Sequence, residues 1–305
     1  MFDTVPVVRC GAKSLRLERP QLMGIVNVTP DSFSDGGDFV QTDVAVAHAL
    51  QLIEEGADIL DIGGESTRPG AATVSAEQEL ARVVPVIRQV AAYIAERQLS
   101  TLISVDTYKP AVMQAAVEAG ADLINDVRAL TEPGALDVVA KLDCGVVLMH
   151  FVGTPADMQT DPHYDDVTAE VHRFLTERIF ACELAGIRKD RLIADPGFGF
   201  GKTTAHNMEL LARLDWLRDL GVPVLAGLSR KRSLGELTGR SEPKQRVAAS
   251  VAAHLIAVQH GAMIVRVHDV AATRDALIIR QATEPFKRPR TVAPKSPAAA
   301  LWPED

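Results

Sequence analysis

The sequence predicts a (β/α)8 TIM barrel built as a single domain over residues 1–285. Three observations carry that expectation. Short β-branched runs alternate with longer stretches of helical spacing, eight times over, as parallel strands joined by crossover helices do. Eight is the number of strands that closes such a sheet on itself. Polar and glycine-bearing segments fall just after the strands and not before them. In a barrel those strand ends share one face, the face on which active sites form. An open doubly wound sheet is the other arrangement that the alternation permits.

Each element has its own justification. Residues 1–20 alternate around Gly11 and predict a short N-terminal hairpin capping the barrel floor. Strands are expected at 22–28, 58–62, 102–105, 123–125, 145–149, 192–194, 224–226 and 263–265, where the β-branched runs lie. Helices are expected near 43–56, 75–97, 109–119, 134–142, 165–186, 205–220, 243–261 and 269–283. Glu-Glu-Gly-Ala-Asp at 54–58, Glu-Ala-Gly-Ala-Asp at 118–122 and His-Gly-Ala at 260–262 end three of the helices. Glycine tolerates the left-handed position that stops a helix, so these are one αβ turn used repeatedly rather than sequence repeats. Residues 286–305 carry Pro289, Pro294, Pro297 and Pro303 among Ala and Lys and are expected to form a loosely ordered tail.

Composition narrows the function classes. A chain of 305 residues, 47% of them hydrophobic, is ample for one large core. A net charge of −8 argues against a general nucleic-acid partner, which needs a basic face. An anionic substrate must then be held by a local cationic cluster. Cys10, Cys144 and Cys182 are odd in number and form no CxxC pair, which fits a reducing compartment and offers no metal framework. The N-terminus has no apolar signal core and no run reaches membrane-spanning length, so a soluble cytoplasmic protein without a membrane partner is expected.

The chemistry-bearing segments follow the strands in order: NVTPDSFSDGG, GGESTRPG, DTYKP, NDV, MH, DPGFGFGK, GLSRKR and RVHD. Asp106 and Asp195 end strands three and six, so both carboxylates can aim into the barrel mouth, and Asn125 ends strand four with a group that donates and accepts at once. Either carboxylate taken alone could cap a helix. Arg266 and His268 alternate at the end of strand eight and face the same side. DPGFGFGK is not a phosphate-binding P-loop, because that pattern needs glycine where Pro196 stands. Its glycines instead shape a loop presenting Phe198 and Phe200. His48, His172, His254, His260, His206 and His163 lack a partner at metal spacing and read as structural, while His150 is left undecided.

These segments, in this order over roughly residues 22–283, are very similar to the signatures of the dihydropteroate synthases. The resemblance implies a barrel that condenses 6-hydroxymethyl-7,8-dihydropterin diphosphate with 4-aminobenzoate, releasing diphosphate, with Mg2+ required. It implies a pterin pocket of Asp106, Asn125, Asp195, Lys231 and Arg266. Diphosphate falls to Asn27, Thr67, Arg68, Arg266 and His268, and aminobenzoate to Phe33, Thr67, Pro69, Phe200 and Lys231. Asn27 is the implied metal ligand; one protein oxygen suffices for Mg2+ that keeps waters and binds substrate phosphate. Asp106, Asp195, Lys231 and Arg68 are the implied catalytic residues. A two-fold homodimer is implied through the late helices. The rival readings are a pterin-binding methyltransferase-type barrel and an inactive pterin-binding paralogue. Val152 and Arg232 stand where many or some members carry other residues, which leaves the rim of the aminobenzoate pocket open.

Overall fold

The computed structural model describes residues 5–29, 38–66, 73–153 and 162–286. The chain opens with the expected hairpin, in which β1 (Val7–Cys10) and β2 (Lys13–Arg16) pair antiparallel. The barrel then runs β3 (Gln21–Asn27), α1 (Asp38–Glu55), β4 (Ile59–Gly63), α2 (Ala76–Glu96), β5 (Leu102–Asp106), α3 (Pro110–Glu118), β6 (Leu123–Asp126) and α4 (Ala135–Lys141). It continues through β7 (Gly145–Met149), α5 (Val167–Leu184), β8 (Leu192–Asp195), α6 (Thr204–Ala212), β9 (Leu225–Ala226), α7 (Arg232–Thr238), α8 (Val247–Gln259), β10 (Ile264–Val267) and α9 (Val270–Thr283). All the ladders from β3 to β10 are parallel, and neighbours in space are neighbours in sequence, with β3 beside β10. Between β8 and β9 a bridge of Ala194 to Val224, with the Ala194 N–H donating to the Pro223 carbonyl at 2.9 Å, joins the remaining edges. A cyclic strand order is a barrel, so the open doubly wound alternative lapses.

The two-residue period of the strands sorts the interior into layers. One inward side chain from each strand, among them Met23, Leu102, Ile193 and Ile264, forms an apolar floor, and Val8, Cys10, Leu15 and Leu17 of the hairpin close it from below. The intervening residues, such as Leu60, Val105, Ile124 and Leu148, face outward and pack under the helices. Two residues above the floor the inward positions turn polar: Asp61, Ser104, Asn125 and Arg266, with Asp106 and Asp195 beside or above them. The apolar floor gives the core, and the polar upper layers give the site.

The repeated glycine–aspartate turns do more than stop helices. Gly56 and Gly120 take φ +101° and +115°, as a left-handed helix end requires. The aspartate two residues later then grips the preceding strand: Asp58 accepts the Leu22 N–H and Asp122 the Ile103 N–H, each at 2.9 Å. Arg19 and Lys13, at the hairpin end of the barrel, pair with those same two carboxylates.

Some elements differ from expectation. The helix expected over 205–220 stops at Ala212 and continues as 3-10 turns over 214–220. Arg213 leaves the helical backbone there, bonds Asp166 at the start of α5 and stacks over Trp216. Pro243 opens a 3-10 turn, so α8 begins only at Val247. Helix α7 was not foreseen, and β9 is only two residues long. Strand β10 extends through Arg266 to Val267 rather than stopping at 265, which places Arg266 inside the barrel and not on a loop.

Candidate active site

The mouth of the barrel holds an open cavity of about 330 Å³. Six of the residues anticipated from sequence line it together: Asp106, Asn125, Asp195, Phe200, Lys231 and Arg266. They come from β5, β6, β8, the loop after β8, the loop after β9, and β10. The sequence alone did not single out the apolar lining of Val127 and Met149, nor Gly227, whose lack of a side chain leaves the wall open.

Arg266 is the charge centre of this mouth. Its Nε donates to Asp61 Oδ2 and its Nη2 to Asp106 Oδ2, both at 2.6 Å. Burial works against the cation, but Asp61 and Asp106 outweigh it, and Arg266 is held above its ordinary value. Burial pushes the Asp106 carboxyl up, against the pull of Arg266. Neither Asp106 nor Asp195 caps a helix. Asp195 Oδ1 instead accepts the Gly197 N–H at 2.7 Å. Burial lifts Asp195 to about 6, with that N–H and then Lys231 drawing it down. Burial also lowers Lys231 to about 8; Arg266 pushes the same way, while Asp195 and Asp106 oppose it. The Lys231 ammonium lies 4.2 Å from the centre of the Phe200 ring, within cation–π range.

Two site residues escaped the sequence reading. Asp61 is fully buried and holds Arg266 and Asn125 from below. Lys202, the last residue of DPGFGFGK, is 2% exposed, with Nζ at 2.9 Å from His150 Nδ1, 3.0 Å from the Gly197 carbonyl and 3.1 Å from the Phe200 carbonyl. Three acceptors match the three N–H bonds of an ammonium. Lys202 therefore clamps the glycine loop, even though burial lowers it to about 7. His150, left undecided from sequence, is its acceptor. Burial and then the neighbouring Lys202 hold this imidazole neutral. The same loop presents both rings to the cavity, Phe198 buried in the core beneath it and Phe200 with part of its surface open. Gly197 passes so close to His150 that a Cβ would sit 1.9 Å from the His150 carbonyl oxygen, and its φ is +67°. Lysine after a glycine-rich loop was the available signal for Lys202. Aspartate inside an otherwise apolar strand, LDIG, was the signal for Asp61.

His268 lies just beyond β10 and outside the cavity lining. Ser229 Oγ accepts the His268 backbone N–H at 3.1 Å and lies 2.9 Å from Nδ1. Burial and then the cations Arg230 and Arg266 lower this imidazole to about 3, so it offers a neutral ring and not a charge. Arg230 is engaged by Asp269, through bonds of 3.0 and 2.5 Å. Lys109 pairs with Glu65 and Glu79 at the foot of the segment that follows β4.

Asn27 ends β3, half-buried, beside Gly63 of β4. Among the described residues no group of three or more His, Cys, Asp or Glu stands together as a metal cage. One neutral amide oxygen fits Mg2+ that arrives on an anionic substrate and keeps its waters. Phe33, Thr67, Arg68 and Pro69 lie outside the described residues, as does the expected tail beyond residue 286.

Residues 23–268 match the model of the pterin binding enzymes. The dihydropteroate synthase of Escherichia coli (strain K12) is 50% identical over 270 residues, covering 88% of this chain and 94% of that one. A solved dihydropteroate synthase of Xanthomonas albilineans with 4-aminobenzoic acid superposes with a TM-score of 0.86 at 63% identity, over 94% of this chain and 100% of that chain. Another from the same organism, in complex with 7,8-dihydropteroate, does so with a TM-score of 0.81 at 58% identity, over 93% and 100%. With a family model spanning most of the barrel and half-identical relatives matched along nearly their whole length, the chain belongs to the dihydropteroate synthase family of pterin binding enzymes.

Proposed function

We propose that the barrel condenses 6-hydroxymethyl-7,8-dihydropterin diphosphate with 4-aminobenzoate to give 7,8-dihydropteroate and diphosphate, a transferase step of folate biosynthesis. The observation that carries this reading is the convergence of Asp106, Asn125 and Asp195 with Arg266 and Lys231 on one cavity. A pterin edge presents N–H donors beside nitrogen acceptors. A carboxylate takes N–H donors well, and an amide answers both kinds. Asp195, with Oδ1 committed to Gly197, keeps Oδ2 for such a ligand.

The chemistry then follows from charge placement. The bond from the exocyclic methylene to diphosphate oxygen breaks, the bond from that carbon to the aminobenzoate nitrogen forms, and one amine proton is lost. The dihydropterin ring supports positive charge at the methylene, and the buried carboxylates of Asp106 and Asp195 stabilise it in a site of low polarity. Arg266 faces the departing negative charge, together with Arg68 by family resemblance. His268 serves there as a neutral hydrogen-bonding ring: Ser229 can donate to Nδ1, which leaves a hydrogen on Nε2 for phosphate oxygen. Asn27 would hold Mg2+ through its amide oxygen, and the ion would supply further charge neutralisation to diphosphate. Phe200 and Lys231, with Phe33, Thr67 and Pro69 by resemblance, hold the aminobenzoate. The amine is neutral at pH 7 and attacks without a strong base.

Incubating the protein with both substrates and Mg2+, and following dihydropteroate and diphosphate, tests the reading. Pterin binding without turnover under any metal condition would move the chain to the inactive paralogue. A two-fold homodimer through the late helices and a cytoplasmic location are part of the same proposal. Among the described residues no helix is long and apolar enough to cross a membrane, and a monomer mass by light scattering at micromolar concentration would remove the dimer.

A further inference from the structure

Asp61 lies one inward layer below the ligand cavity. It sits in β4 two residues above Ile59 of the apolar floor. It is 0% exposed and does not line the cavity itself. Its Oδ2 receives two donors from opposite walls of the barrel: Asn125 Nδ2 of β6 at 3.0 Å and Arg266 Nε of β10 at 2.6 Å. Its Oδ1 has no hydrogen-bond partner among the described residues, and neither has Ser104 Oγ, which is paired with it in register across β4 and β5. A buried carboxylate with one orphaned oxygen is a poor choice for stability alone, because the desolvation of that oxygen is not offset. What Asp61 does hold is two side chains that both line the cavity.

The consequence for Asn125 is specific. A carboxylate only accepts, so it fixes which end of the amide faces inward. One N–H of Nδ2 is committed to Asp61. The carbonyl oxygen and the second N–H remain for the cavity. They form an acceptor–donor edge that can pair with adjacent N–H and nitrogen positions of a heterocycle. Without Asp61 the amide is free to turn over, and the edge reverses. Arg266 is tied by Nε, which leaves its Nη groups for Asp106 and the mouth.

Resting on the proposed function above, we infer that Asp61 is a positioning residue that sets the donor–acceptor polarity of the pterin site through Asn125 and holds Arg266 in register with Asp106. It touches no substrate and is not a catalytic residue.

The test begins with the unaltered protein, titrated calorimetrically with 6-hydroxymethyl-7,8-dihydropterin. If that ligand does not bind, the proposed function fails and the inference that rests on it is overturned with it. Asp61→Ala should then weaken pterin binding at least tenfold. The KM for the pterin diphosphate should rise with it, while the KM for 4-aminobenzoate stays within about twofold of the unaltered enzyme. Asp61→Asn keeps an acceptor oxygen but loses the charge, and should recover part of the loss while staying at least threefold weak. In an Asn125→Ala background the effect of Asp61→Ala should shrink, because half of what Asp61 positions has gone. A folded Asp61→Ala protein with unaltered pterin affinity overturns the inference. So does full additivity with Asn125→Ala, or an equal rise in both KM values, which would mark a general structural role. If Asp61→Ala does not fold, Asp61→Asn decides, and unaltered pterin affinity in that variant overturns the inference.

Discussion

Asp195→Asn separates a ligand-reading carboxylate from a structural one. Asp195 is 5% exposed, and its Oδ1 accepts the Gly197 N–H at 2.7 Å. The asparagine carbonyl oxygen can keep that bond, which sends Nδ2 to the place of Oδ2, facing the cavity. A ligand N–H that met an acceptor then meets a donor. Leaving one side of a buried charged contact unpaired costs roughly 2–5 kcal/mol, or about 30-fold to several thousandfold in affinity at about 1.4 kcal/mol per tenfold. The fold should survive, since the loop bond is kept and a buried charge is removed. The melting temperature should stay within about 4 °C, the span of roughly 1 kcal/mol for a domain of this size. Calorimetric titration with 6-hydroxymethyl-7,8-dihydropterin, beside a thermal melt, measures both quantities. A folded variant that binds pterin within about threefold of the unaltered protein would refute the assignment and leave Asp195 as a loop anchor.

Three further outcomes are expected. Turnover should trace a bell in pH: protonation of Asp195, lifted by burial to about 6, removes an acceptor on the acid side. Loss of the Lys231 proton near about 8 removes a cation on the alkaline side. A kcat/KM that stays flat from about pH 5.5 to 9 would contradict both roles. Lys202→Met orphans two buried acceptors and one half-buried one, a buried one being worth roughly 1–3 kcal/mol, and relieves the burial of an ammonium; a net loss of about 1–3 kcal/mol in denaturant unfolding is expected, with a several-fold higher KM for 4-aminobenzoate as Phe200 loosens. An unchanged KM would detach the clamp from the pocket. Gly197→Ala places a Cβ 1.9 Å from the His150 carbonyl oxygen at φ +67°, and should cost more than about 4 kcal/mol, in the range of severe backbone clashes. A soluble variant with an unaltered melt would show that the loop can move aside.

The strand pattern and the polar segments after each strand determined the barrel and its working face without any coordinates, because both are periodic and local. Period-two apolar runs write the sheet, and glycine with aspartate writes the turns. Asp106, Asn125, Asp195, Phe200, Lys231 and Arg266 were legible for the same reason, since each stands at or just past a strand end and the family signature fixes its place. Tertiary structure alone decided what was not local. Asp61 was hidden in LDIG, one residue among strand residues, until closure of the barrel brought Asn125 and Arg266, 64 and 205 positions away, onto one of its oxygens. Lys202 and His150, 52 positions apart, became partners only because the glycine loop folds back over β7. The helix expected over 205–220 ends before Arg213, whose guanidinium joins Glu209 on the helix to Asp166 at the start of α5, 47 positions away, and stacks over Trp216. Sequence spacing fixes which face of a strand a side chain takes, but the closing of eight strands into a ring selects its partners, and the strength of each buried charge depends on them.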